Sequence, residues 1–148
     1  MFRDCSSLST IPLLDTSSGT SIGRMFQGCS SLSTIPSLYT SSGTSFGSMF
    51  QSCSSLSTIP LLDTSSGTDF SSMFYGCNVL AQAALNGTQY NIGYSKTAIE
   101  RDAIVDIFNA LGTAAGVQTI NVSTTPGAGD LIAADLLIVT NKGWTVVS

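Results

Sequence analysis

The chain has 148 residues, only 9% of them Asp, Glu, Lys or Arg, no histidine and a formal charge of −4. That length fits about one domain, and because a soluble domain usually carries about 25% charged residues, the polar surface here must come from Ser, Thr, Asn and Gln. The missing histidine excludes His-based triads, His acid–base chemistry and His metal sites, and five scattered basic residues give no clustered face for nucleic acid. No apolar run approaches the ~20 residues of a membrane span, and the opening residues read as neither a signal peptide nor a lipidation signal.

Residues 1–24 read MFRDCSSLSTIPLLDTSSGTSIGR, 25–48 read MFQGCSSLSTIPSLYTSSGTSFGS and 49–72 read MFQSCSSLSTIPLLDTSSGTDFSS. Met73 opens a fourth unit, MFYGCNVL, that then departs. A fixed period of 24 residues predicts a stack of coils, because each unit can bury its apolar face only against its neighbours. Within a unit, Met25, Phe26, Cys29 and Leu32 fall at i, i+1, i+4 and i+7, one face of a short helix. Met49, Phe50, Cys53 and Leu56 repeat that pattern, and these eight residues are the expected core. Ile35 and Leu38 anchor an extended piece, and TSSGT predicts a turn in which Gly43 supplies a positive φ. Cys5, Cys29, Cys53 and Cys77 read as four buried thiols. Packed helices lie about 8–10 Å apart, beyond the ~7 Å limit of a disulfide, and no C-x-x-C pair suggests zinc. Pro12, Pro36 and Pro60 share a column that cannot donate to a ladder, which predicts short strands. Helices at about 8–10 Å against strands at about 4.8 Å predict a stack curved with the strands inside.

After Cys77 the pattern changes. Asn86-Gly87 marks a turn, and Tyr90, Ile92 and Tyr94 alternate as in a strand, with Tyr90 and Tyr94 expected in the core. Thr97 and Glu100 form a capping box for a helix over 98–112, with an apolar stripe of Ile99, Ala103, Ile107, Phe108 and Leu111. A strand is expected over 117–123, a turn and N-cap at PGAGD, a second helix over 130–143 closed by Lys142-Gly143, and a last strand at WTVV. The expected organisation is therefore solenoid repeats over 1–80 (1–24, 25–48, 49–72, partial 73–80) and irregular repeats with a cap over 81–148. Met1 and Phe2 are already repeat residues, so the chain is expected to be the C-terminal end of a longer array. A homo-oligomer would then form through a missing N-terminal region.

The repeat MFxxCSSLSTIPxLxTSSGTxF resembles the BspA-like leucine-rich repeat over residues 1–80. The tail from Thr97 to Val147 is similar to closing segments that follow such repeats in bacteriophage tail-fibre and tail-associated proteins. The resemblance implies an α/β solenoid, a right-handed leucine-rich-repeat-like stack of 24-residue coils closed by a β-α-β-α-β cap. It also implies an extracellular place, on a virion tail or a bacterial cell surface, and an adhesive or receptor-binding role. It carries no catalytic motif. Unit two departs from its neighbours at Ser37 and Tyr39, where they have Leu and Asp.

Columns that differ between units mark outward positions and a candidate recognition surface. One holds Arg3, Gln27, Gln51 and Tyr75, and another holds Asp15, Tyr39 and Asp63. These side chains suit sugar hydroxyls or a protein patch, while the alternative is a solvated face whose differences mean nothing. Tyr39 and Tyr75 stand out because aromatics anchor interfaces. Asp15 and Asp63 would lie about 10 Å apart at strand spacing, near the separation of an inverting glycosidase, but an open face supplies no cleft. The expectation is a non-enzymatic module without cofactor, metal, nucleic acid or membrane span, contacting a host-cell surface glycan or protein. The second expectation is a structural spacer in a fibre, virion or surface layer.

Overall fold

A computed structural model of the chain describes residues 1–94 and 97–148, apart from the side chain of Ala84. Its elements are β1 (Thr58–Asp63), β2 (Gln82–Asn86), β3 (Ile92–Gly93), α1 (Arg101–Ala110), β4 (Gln118–Asn121), a 3₁₀ helix (Pro126–Asp130), α2 (Ala133–Thr140) and β5 (Trp144–Val147). β1 and β2 pair in parallel, and β3, β4 and β5 form a second parallel sheet in that order.

Successive 24-residue units lie side by side, tied by backbone hydrogen bonds on two sides. On the Met-Phe side the earlier unit donates: Phe2 N–H to Met25 O (2.8 Å), Phe26 to Met49 (3.0 Å) and Phe50 to Met73 (3.1 Å). On the Ser-Thr-Ile-Pro side the later unit donates: Ser33 N–H to Ser9 O (3.4 Å), Ser57 to Ser33 (3.2 Å) and Ala81 to Ser57 (2.9 Å). Most of this pairing is too short to form strands; Ser21–Ser45, Thr34–Thr58 and Ser45–Asp69 are isolated parallel bridges.

The short helix expected at M-F-x-x-C is not formed. The segment is a run of tight turns, with Met25 N–H to Ile22 O (3.3 Å), Cys29 to Phe26 (3.1 Å) and Leu32 to Cys29 (3.1 Å). Arg24, Ser48 and Ser72 precede it at φ 60°, 56° and 53°, and Asp4, Gly28, Ser52 and Gly76 close it at φ 60°, 76°, 63° and 80°. An α-helix cannot run through left-handed residues. The expected unequal spacing fails with the helix, since backbone hydrogen bonds hold both sides at strand-like separation. The rings of Phe2, Phe26, Phe50 and Phe74 stack at centroid distances of 5.8, 5.7 and 6.2 Å, and Tyr94 continues the column at 4.9 Å.

Phe26, Cys29, Leu32, Met49, Phe50, Cys53 and Leu56 are fully buried. Met25 is half-buried and packs on the rim of the core. The thiols of Cys29, Cys53 and Cys77 donate to the carbonyls of Phe2, Phe26 and Phe50 at 2.9, 3.0 and 3.0 Å. Burial pushes Cys53 and Cys77 up to about 12. Cys5 corrects the expectation of four buried thiols: it is exposed, because the first unit is covered on one side only, and all four cysteines are free. Gly43 is not at positive φ. A Cβ there would lie 2.9 Å from Phe46 Cζ and 3.0 Å from Thr40 O, so that glycine makes room for a second stack, Phe46 on Phe70 at 5.3 Å.

A buried threonine column follows. Thr16, Thr40 and Thr64 donate their hydroxyls to the carbonyls of Tyr39, Asp63 and Asn86 at 2.7, 2.7 and 3.0 Å, and Thr64 also meets Thr88 at 2.7 Å. These bonds place Tyr39, Asp63 and Asn86 at one station of successive units. Between β1 and β2 the register runs Thr58–Gln82 and Ile59–Ala83, then Leu62–Leu85 and Asp63–Asn86. Pro60 and Leu61 thus oppose Ala84 alone, a bulge seated where proline cannot donate.

In the C-terminal part, α1 buries Ile104, Ile107 and Phe108. The expected capping box is absent, since the helix starts after Glu100 without a side-chain cap and Thr97 instead donates its hydroxyl to Tyr94 O (2.7 Å). The expected turn at PGAGD is the 3₁₀ helix, and α2 starts only at Ala133. Arg101 clamps the helices together, with Nε and Nη2 on the two carboxylate oxygens of buried Asp135 at 3.0 and 2.8 Å. Lys142 and Gly143 close α2 as expected, their N–H groups on Val139 O and Thr140 O at 3.0 Å each with Gly143 at φ 81°, but the side chain of Lys142 reaches away from that helix. Its Nζ donates to the carbonyls of Phe108, Asn109 and Leu111 at 3.1, 2.7 and 2.7 Å, capping the C-terminus of α1.

Candidate functional site

The two predicted columns have different fates. In the first, Gln27 donates through Nε2 to Gln51 Oε1 at 2.6 Å, and Arg3 pairs with the adjacent Asp4 at 3.4 Å. Those contacts engage part of each side chain within the chain, while the buried Gln27 Oε1 has no hydrogen-bond partner among the described residues. Tyr75 stands beyond them, 61% exposed.

In the second column, Asp15 is exposed, Tyr39 is 64% exposed and Asp63 is half-buried. Each aspartate is fixed by the turn it begins. Asp15 Oδ1 accepts the N–H and hydroxyl of Ser17 at 3.0 and 2.6 Å, and Asp63 Oδ1 accepts those of Ser65 at 3.0 and 2.7 Å. The Ser17 hydroxyl, with its N–H, holds the Asp15 carboxyl below the usual carboxylate range. Those Ser contacts use one oxygen of each carboxylate, and neither aspartate is in an ion pair among the described residues.

Beside Tyr39 lies a hollow of about 270 Å³, lined by Leu38, Tyr39, Thr40, Ser41, Leu61, Asp63 and Asn86. The bulge accounts for part of it: Leu61 sits in the extra position and is 61% exposed. The result is an aromatic face and an aliphatic wall beside a carboxylate and an amide. Two predicted residues, Tyr39 and Asp63, therefore meet two that sequence reasoning missed. The sequence marks Asn86 as a turn residue in a chance-level glycosylation sequon and Leu61 as one of the repeat leucines, neither as part of a recognition surface. The missed signal is a count: unit four has one residue fewer between Ala83 and Leu85 than unit three has between Ile59 and Leu62.

A larger hollow of about 370 Å³ runs along Arg3, Arg24, Ser45 and Asp69 over a floor of Gly23 and Gly47. It has no aromatic side, and Asp69 is already engaged by the Ser71 N–H (3.0 Å) and the Ser45 hydroxyl (3.3 Å). Those bonds, the Ser71 N–H first, hold its carboxyl below the usual range. The hollow at Tyr39 is the better equipped for a ligand, having an apolar face and convergent polar groups together.

Residues 1–99 match the family described as "Mycoplasma protein of unknown function, DUF285". The chain belongs to that family. The match runs past residue 80 into the stretch where the threonine and aromatic columns continue through Thr88 and Tyr94. No curated protein and no solved structure matches the chain.

Proposed function

We propose that this DUF285 chain is a non-enzymatic solenoid of the BspA-like leucine-rich-repeat kind. In this reading it acts outside the cell, on a bacterial surface or a phage tail, and binds a surface glycan at the Tyr39 hollow. The observation that carries the reading is Tyr39 itself: a largely exposed ring with Leu61, Asp63 and Asn86 around one hollow. A pyranose offers an apolar face to such a ring and hydroxyls to a carboxylate and an amide. The stacked units support it by fixing the positions of these groups, so little ordering cost attends binding. Titration of surface glycans into the wild type and into Tyr39→Ala tests the reading. Loss of about tenfold or more in affinity is expected, with Tyr75→Ala unchanged. Equal binding by wild type and Tyr39→Ala would defeat it.

A second reading, a rigid spacer, draws on a specific observation. Most variable side chains already have partners inside the chain: Gln27 with Gln51, Arg3 with Asp4, and Asp69 with Ser71. Absence of any glycan binding would favour the spacer.

A further inference from the structure

We infer that the Tyr39 column selects glycans carrying free amines, binding a protonated amino sugar at Tyr39 beside the Asp63 carboxylate that lines its hollow, with the Asp15 carboxylate at the same station of the preceding unit. This rests on the glycan reading and narrows its ligand. Three observations carry it. First, the Thr16 and Thr40 hydroxyls bond the carbonyls of Tyr39 and Asp63, so Asp15, Tyr39 and Asp63 occupy one station in three successive units. At strand spacing each carboxylate lies about 5 Å along the stack from the aromatic station. Second, both carboxylates are held in place by Ser17 and Ser65 through Oδ1 only, which keeps them oriented while Oδ2 is left for a ligand.

Third, the charge is uncompensated. Among the described residues Arg3 pairs with Asp4, Arg101 with Asp102 and Asp135, and Lys142 with helix carbonyls, while Arg24 lies in the other hollow beside Asp69. None of these cations lines the hollow at Tyr39. The chain as a whole carries −4. An aromatic ring attracts an ammonium through its face, and a flanking carboxylate adds charge-assisted hydrogen bonding. A neutral or N-acetylated sugar could use the ring but not the charge. The leucine wall at Leu61 accepts the apolar face of a neighbouring ring, and Asn86 meets hydroxyls, which makes the ligand a saccharide chain rather than a small amine.

The test is calorimetric titration of the full chain with a glucosamine hexasaccharide and with its fully N-acetylated counterpart, at a pH where the free amine is protonated. The amine form is expected to bind at least about tenfold more tightly, and to weaken as salt rises from about 50 to about 500 mM. Asp63→Asn keeps an oxygen for Ser65 and should fold normally while losing most of that preference. Tyr39→Phe should retain it and Tyr39→Ala should not. Equal binding of the two oligomers, with Tyr39→Ala impaired, would overturn the inference and leave the glycan reading standing. Binding of neither oligomer would overturn the inference, and the glycan reading is then decided by the titrations of other surface glycans into the wild type and Tyr39→Ala. Tetralysine binding as tightly as the glucosamine oligomer would also overturn it, assigning the column to basic peptides. An Asp63→Asn variant that kept the full preference would do the same.

Discussion

Position 28 shows how one repeat column can hold residues with opposite mutational signs. Asp4, Gly28, Ser52 and Gly76 all adopt positive φ, which costs an L-residue about 1–2 kcal/mol. Gly28→Ala should destabilise by roughly that amount, since its Cβ would also lie 2.5 Å from Asp4 Oδ1 and 3.2 Å from Asp4 Cα. Ser52→Gly should stabilise by up to about 1 kcal/mol, relief of strain exceeding the added freedom of the unfolded chain. Urea midpoints of the two variants measure both, and shifts of the same sign would show that the column is not set by φ. Tyr94 carries a different imbalance. It ends the phenylalanine column fully buried, and its hydroxyl has no partner among the described residues. An unsatisfied buried group costs about 1–3 kcal/mol, so Tyr94→Phe should raise the melting temperature, and a fall would mean the hydroxyl is satisfied. At this scale the core was legible from the sequence, because Phe, Cys and Leu recur in phase with a period that needs no partner to be seen. The meeting of Leu61 and Asn86 was not legible, because it depends on pairing across units and on a bulge created by a single missing residue.

Elements were less legible than residues, for a physical reason. The spacing i, i+1, i+4, i+7 suits a helical face, but it suits equally an arch of i→i+3 turns that returns its apolar side chains to one side. Only the backbone decides, and Gly, Ser and Asp at both ends of M-F-x-x-C are residues that favour turns and caps over helix interiors. The longer segments after residue 97 contain true helices where sequence periodicity expects them, although each starts later than expected. Capping by Thr97 lost to a bond with Tyr94, a tertiary preference no local motif records. The role of Lys142 was equally hidden, because its three acceptors lie 31 to 34 residues earlier. A cation at a helix C-terminus and its hydrogen bonds together stabilise by about 1–2 kcal/mol. Lys142→Met keeps the aliphatic stem and removes the ammonium. It should cost about that much and speed hydrogen exchange of amides in the last turn of α1, while leaving exchange in residues 1–60 unchanged. Uniform acceleration along the whole chain would contradict a local cap.

For the whole molecule the question is whether the units behave as one body or as separate pieces. Phe26 and Phe50 each lie between two other phenylalanines, Phe74 lies between Phe50 and Tyr94, and each thiol from Cys29 onward is sealed by a carbonyl of the preceding unit. No unit in the middle of the chain could keep its core dry alone, so opening one exposes its neighbours and stability passes along the stack by nearest-neighbour coupling. Phe50→Ala probes this at the centre. Truncating a buried Phe costs about 3–5 kcal/mol, and the cysteines supply reporters on both sides. Burial holds Cys53 and Cys77 as thiols, pushed up to about 12, and only the thiolate of an opened state reacts with an alkylating reagent. Exposed Cys5 labels in every state and serves as the internal reference. In the wild type at neutral pH, Cys29, Cys53 and Cys77 should label slowly. In Phe50→Ala all three should accelerate, on the order of a hundredfold or more, because opening free energy enters the rate exponentially. Mass spectrometry of peptides quenched over time resolves each site. Acceleration confined to Cys53, in the unit of Phe50 itself, and Cys77, whose thiol bonds Phe50 O, would show instead that the units open without passing the damage along the stack.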